Sequence, residues 1–151
     1  MKTNTMKKRN SSYYDQYERN AHLESVDFLN RLISCDRQAL SEALSFLYRD
    51  PYFFRSGYIK GALIQHLKQI DLRSNDHYQA KAIILKIVCK PPLREFKYYC
   101  RWAAIILDAD LHGQLQEIAD SNAMPMRSNA RYMLQYLAQT NAHYQKLIQN
   151  S

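Results

Sequence analysis

The densest group of side chains that could do chemistry is a five-residue stretch holding Asp108, Asp110 and His112. Its carboxylate oxygens could hold a divalent cation. An Asp at the head of the amphipathic segment that follows is also an ordinary helix N-cap, because its side chain accepts a hydrogen bond from a free amide of the first turn. The remaining histidines are dispersed. A metal site on one helix needs two ligands four residues apart, and no two of the five histidines have that spacing. We therefore predict a helix cap and no metal site.

The cysteines offer little nucleophilic chemistry. Cys100 falls on an apolar seam with Phe96 and Leu107, which predicts an inert core thiol. Cys89, beside Lys90, is the more reactive candidate but has no recognisable base. The chain has no glycine-rich phosphate loop, and residues 51–101 hold only three acids for acid–base work. We therefore expect a protein that is not an enzyme and has no cofactor.

Basic residues are concentrated in the middle third of the chain. Residues 51–101 hold ten Lys and Arg against three Asp and Glu. The net charge of this segment, +7, equals that of the whole chain. Such a bias favours anionic partners. We expect a non-catalytic binding or adaptor module that engages an acidic protein or peptide through this basic surface, with the oligomeric state left open. The expected contacts are Arg94, Lys97 and Arg101, supported by Lys60, Lys68, Lys86 and Lys90.

Nucleic acid is an alternative partner. A basic N-terminal arm over residues 1–20 could add phosphate contacts. Residues 115–134 can also be aligned with a DNA-reading helix-turn-helix, although Asn122 and Asn129 stand where the two helices should be apolar, so the motif would be degenerate. The residues of this alternative are Lys7, Lys8, Arg9, Arg127 and Arg131.

The elements that must position these residues are predicted to be helices. Three glycines and four prolines are too few for the tight turns of a sheet protein of 151 residues. Apolar residues recur instead at intervals of three and four. We predict an all-α domain of about six to eight helices over residues 21–151, arranged as stacked helical hairpins or as an orthogonal bundle.

The pattern also predicts individual helix faces. Asp36 or Ser34 should cap the second helix, and a third should run over 51–71 with Tyr58 buried. The helix after Pro91 and Pro92 should bury a seam that begins at Leu93 and touch neighbours with the opposite side, which holds Tyr98, Trp102, Ile105 and Ile106. A narrow wedge between the two sides is left for Arg94, Lys97 and Arg101. The first helix should bury Leu23, Val26, Leu29 and Ile33, and large aromatics should fill the core, namely Phe53, Phe54, Tyr99 and Trp102.

Four segments place a basic residue just before an apolar run. They are 60–67, 81–88, 101–107 and 131–137, and prolines punctuate the chain at intervals of 33 to 41 residues. In these features the chain resembles HEAT and armadillo repeats. The resemblance covers about residues 36–140 and implies an extended binding surface without fixed chemistry.

Three cysteines form an odd set with no Cys-x-x-Cys pair, which fits a reducing compartment. The N-terminus lacks the apolar run of a signal peptide, and no segment approaches the length of a membrane span. We therefore expect a cytoplasmic protein. A delivered effector or a toxin-immunity protein is a further alternative, because specialised secretion systems leave no signal that these rules detect.

Overall fold

Secondary structure is helical throughout the described chain. A computed structural model describes residues 12–140 and 144–149, which contain nine α-helices, a short 3-10 helix and no strand. They form two compact units, Met1–Ile70 (unit 1) and Asp71–Ser151 (unit 2). The predicted all-α class is confirmed, and the single domain over 21–151 stays a prediction. Within the described residues, no helix is long and apolar enough to cross a membrane.

Unit 1 contains α1 (12–20), a 3-10 turn (Ala21–Glu24), α2 (Val26–Ile33), α3 (Arg37–Arg49) and α4 (Ser56–Leu67). The helix α3 begins where expected, because the Asp36 carboxylate accepts a hydrogen bond from the Ala39 amide at 2.9 Å. It ends where Asp50 takes a left-handed conformation, with φ of 50°, just before Pro51. The helix α4 is shorter than the predicted 51–71, because the chain turns over residues 51–55.

Packing in unit 1 corrects the predicted register of the first apolar stripe. Phe28 and Leu32 are the buried residues of α2, whereas Val26 is 76% exposed. Tyr58 is also exposed (64%) rather than buried. Phe53 lies in the core as expected, and Phe54 is half-buried.

Part of the predicted arm belongs to unit 1. The rings of Tyr13, Tyr14 and Tyr17 on α1 lie 6.2, 4.8 and 5.5 Å from the Phe54 ring, centroid to centroid. Residues 12–20 are therefore a docked helix, held by aromatic contacts. Residues 1–11, with Lys7, Lys8 and Arg9, lie outside the described residues.

Unit 2 contains α5 (Ser74–Val88), α6 (Phe96–Ile106), α7 (Ala109–Asp120), α8 (Met126–Thr140) and α9 (Tyr144–Gln149). The helix α5 packs on α6, α7 packs extensively on α8, and α6 also contacts α8. Tyr99, Cys100 and Trp102 of α6 are fully buried, as predicted. Because α6 packs on both α5 and α8, only a narrow strip of its surface remains in solvent.

Two polar side chains of α8 tie unit 2 together. The buried Asn129 amide donates to the carbonyl oxygens of Val88 and Lys90, at 2.9 and 2.6 Å, at the C-terminal end of α5. Arg131 Nε donates to the Ala119 carbonyl at 3.1 Å, in the last turn of α7. All three bonds satisfy carbonyls near a helix end, where intrahelical partners run out. Asn129 is thus a structural residue.

Candidate binding surface on α6

The helix α6 is the element that positions the predicted basic contacts. Its buried residues face α5 and α8, and Phe96–Ile106 contains no acidic residue. The side chains left on its outer surface follow the helical spacing of 3, 4, 7 and 11 residues. We call this set the α6 strip, and it consists of Arg94 in the preceding turn with Lys97, Tyr98, Arg101 and Ile105.

Tyr98 lies at the centre of the strip and organises its cations. Lys97 Nζ lies 5.3 Å from the centroid of the Tyr98 ring, and the Arg101 guanidinium carbon lies 5.5 Å from it. Both distances fall within the range of a cation–π contact. One ring therefore collects two exposed positive charges on the same part of the surface.

The strip has no internal counterion. Among the described residues, Arg94, Lys97 and Arg101 make no ion pair, and all three are exposed. Glu95, the acid next to them in sequence, is buried. Within the described part of the chain, no ion pair therefore offsets the positive charge of these three side chains.

The acidic pair of the Asp108 stretch is occupied by a lysine. Lys81 Nζ lies 3.0 Å from Asp108 Oδ2 and 2.9 Å from Asp110 Oδ2. The hydrogen bond that Lys81 donates to Asp110 lowers the pKa of that carboxyl, and the hydrogen bonds that Lys81 donates to Asp110 and then to Asp108 raise the pKa of its ammonium. Asp108 also accepts from the Leu111 amide at 2.7 Å, which confirms the predicted cap. Lys81 thus stands where a cation would have to bind.

His112 lies apart from these carboxylates. Its Nε2 atom is 3.2 Å from the Tyr144 hydroxyl of α9, and burial raises the pKa of that tyrosine. His77 is the histidine near Asp108, with Nδ1 at 3.7 Å from Oδ2 and Nε2 at 2.7 Å from the Ile106 carbonyl. Within the described residues, no three His, Cys, Asp or Glu side chains are grouped so as to hold a metal ion.

The supporting lysines are placed differently from the strip. Lys60 was predicted to contact a partner, and this is wrong, because its side chain is only 1% exposed and its Nζ lies 2.6 Å from Asp50 Oδ1. Lys68 is half-buried in unit 1. Lys86 and Lys90 are half-buried in unit 2 and each has an interaction partner.

The predicted basic third divides between the two units. Residues 12–70 of unit 1 carry seven Lys and Arg against seven Asp and Glu. The described residues of unit 2 carry ten against seven. The positive excess of the described chain therefore lies in unit 2, which contains the α6 strip.

The residues of the nucleic-acid alternative gain less support. The helices α7 and α8 pack along each other across a five-residue connection, 121–125, as in a helical hairpin. Arg131 donates back to α7, and Arg127 is half-buried. Asn129, which seemed out of place in a helix-turn-helix, is buried because it binds the end of α5.

Sequence reasoning missed two features. The first is the exposed surface of α6. Tyr98 and Ile105 were predicted on the second packing face and Leu93 on the buried seam, but Tyr98 is only half-buried, and Ile105 and Leu93 are 52% and 51% exposed. The available signal for Tyr98 was its position three residues before Arg101 and four after Arg94, on the same face of a helix. The second is the cluster of Tyr13, Tyr14 and Tyr17 on α1 around the Phe54 ring.

Comparison of the chain with protein-family models, with curated proteins and with solved structures gives no match. The fold and surface define an all-α protein with a cationic, aromatic strip on one helix. Its resemblance to HEAT and armadillo repeats stays a prediction.

Proposed function

We propose that this chain is a non-catalytic helical binding module that engages an acidic protein or peptide through the α6 strip. One observation carries the proposal: Arg94, Lys97 and Arg101 are exposed, lack ion pairs within the described residues, and lie on α6 or in the turn before it, a helix that contains no acidic residue. Arg and Tyr are the residue types that most often dominate binding energy at protein interfaces. An uncompensated positive surface also accelerates the approach of an acidic partner.

The rest of unit 2 supports a role as a scaffold for this surface. Two consecutive helical hairpins, α5–α6 and α7–α8, agree with the HEAT-like interpretation, in which one face of the stacked helices binds a partner. Asn129 joins the end of α5 to α8, and so holds the segment that leads into α6. A rigid scaffold lowers the entropy lost on binding.

We also place the module in the cytoplasm. Cys35, Cys89 and Cys100 are all free thiols, and two of them are exposed. Exposed free thiols are typical of a reducing compartment.

The test uses a fluorescein-labelled poly-glutamate peptide of about 15 residues and the full-length chain, at about 150 mM salt, where charges beyond about 8 Å are screened. Reversal of the strip, Arg94→Glu with Lys97→Glu and Arg101→Glu, should weaken binding by about tenfold or more. The matched control reverses three exposed cations outside the strip, with the same change in net charge: Arg49→Glu, Arg73→Glu and Lys146→Glu. Equal losses of affinity in the two variants would show that the peptide responds to the net charge of the protein and does not bind at the strip.

Single-stranded nucleic acid is the second candidate, favoured by the position of the Tyr98 ring between Lys97 and Arg101. An aromatic ring flanked by cations suits base stacking combined with phosphate contacts. A labelled oligonucleotide in the same assay decides between the two. Tighter binding of the oligonucleotide than of the peptide, lost on Tyr98→Ala and falling steeply with salt, would support nucleic acid.

A further inference from the structure

We infer that the partner segment is an amphipathic α-helix that carries acidic and apolar residues on one face and lies along α6. The inference rests on the proposed function and narrows its partner from any acidic segment to one secondary structure and one pattern. Three features carry it: the apolar members of the strip, the saturated backbone around them, and their spacing.

The strip is apolar as well as cationic. Ile105 is 52% exposed one turn beyond Arg101, and Tyr98 is half-buried. Leu93, half-exposed, lies just before Arg94. A partner made only of acidic groups would pair with the cations and leave these apolar side chains in water. A partner with apolar residues between its acids would cover them as well, and that burial would add affinity.

The backbone of the strip offers nothing to an extended peptide. Strand addition requires a free sheet edge, and the described residues contain no strand. The carbonyl and amide groups in the middle of α6 are bonded to each other, as in any helix. An extended acidic peptide would therefore gain side-chain contacts only. A helical segment satisfies its backbone hydrogen bonds internally and can place a row of side chains against α6.

The spacing of the strip predicts the pattern of the partner. Ile105 follows Arg101 by four residues and Lys97 by eight, which is about 6 and 12 Å along the helix axis. Two packed helices lie about 8–10 Å apart, close enough for Glu and Asp side chains to reach Lys and Arg across the contact. The partner should therefore present an apolar residue, with acids one and two turns away on the same face.

The experiment compares two synthetic peptides of about 18 residues, since shorter helices are marginal in water. One peptide places Leu and Glu at the predicted positions of a helix. The other has the same composition in scrambled order, so that its net charge is equal and its apolar face is lost. Binding of each to the full-length chain is measured by fluorescence anisotropy, and peptide helicity by circular dichroism.

The patterned peptide should bind about tenfold more tightly than the scrambled one and gain helicity on binding. Ile105→Ser should remove most of that difference, whereas Met124→Ser, at an exposed apolar residue outside the strip, should leave it unchanged. Leu93→Ser should have an effect in the same direction as Ile105→Ser.

The outcomes separate this inference from the proposed function. If both peptides bind equally and charge reversal of the strip abolishes both, the acidic partner stands and the helical one is overturned. If neither peptide binds, or if charge reversal has no effect on either, the proposed function fails and the inference fails with it. Binding of the patterned peptide that survives Ile105→Ser would overturn the inference alone.

Discussion

Replacing Lys97 by Glu should stabilise unit 2 while it weakens binding. Lys97 is the second residue of α6, whose first turn contains no acid. A cation at this position destabilises the helix through its dipole by about 0.3–1 kcal/mol, and an anion stabilises it by about the same free energy. The change also replaces repulsion from Arg101, four residues on, by attraction. Losing the repulsion and gaining the attraction each stabilise the helix by about 0.2–0.5 kcal/mol. Loss of the Lys97–Tyr98 contact offsets about 0.5–1 kcal/mol, which leaves a net gain of about 1 kcal/mol.

The assay is thermal unfolding followed by circular dichroism at low and high salt, alongside binding of poly-glutamate. A gain of about 1 kcal/mol should raise Tm by about 2–4 °C for a chain of 151 residues. The gain should nearly vanish at about 1 M salt, where the Debye length is about 3 Å. Lys97→Gln should give only about a fifth of the rise, because it makes half of the electrostatic gain and loses the whole contact with Tyr98. Arg101→Glu, in the middle of α6, should weaken binding without the dipole gain. A fall in Tm, or an equal rise at both salt concentrations, would refute the electrostatic reasoning.

Three further predictions concern buried polar groups. Asp50→Ala removes the carboxylate 2.6 Å from the buried Lys60 ammonium and should lower the free energy of unfolding in urea by about 3–5 kcal/mol, whereas Lys60→Met with Asp50→Ala should recover most of that loss. Asn129→Ala leaves the Val88 and Lys90 carbonyls without its amide and should lower stability by about 2–4 kcal/mol in the same assay. Burial raises the pKa of Cys100 to about 12, so a thiol reagent at about pH 8 should label two cysteines of the folded chain rapidly and the third only after unfolding. The unfolded thiol ionises near its ordinary value of 9.0, so stability should fall as pH rises above 9, and Cys100→Ala should reduce that fall.

The sequence predicted features that depend on neighbouring residues. The caps at Asp36 and Asp108 follow from a short side chain before an amphipathic run, and both are present. Helical periodicity predicted that Arg94, Lys97 and Arg101 share the exposed wedge of α6, and all three are exposed. Local geometry was sufficient for these features.

Features that depend on distant contacts were not predictable in the same way. The sequence of α2 allows more than one apolar face to be buried. The packing of α2 against α3 and α4 buries Phe28 and Leu32 and leaves Val26 exposed. Lys60 looks like any surface lysine in sequence, and its burial depends on Asp50 in the turn that ends α3. The helix α1 lies in a basic N-terminal segment, and Phe54, about forty residues later, provides its packing partner.

The absence of acids on α6 also bears on how copies of the chain meet. Two molecules approaching face to face through their strips would bring six cations together, with no carboxylate on either helix to relieve them. Homodimers through this face are thereby disfavoured at low ionic strength, even though Tyr98 and Ile105 would otherwise invite self-association. We therefore expect the like charge to keep this face free of self-association and open to the acidic partner proposed for it.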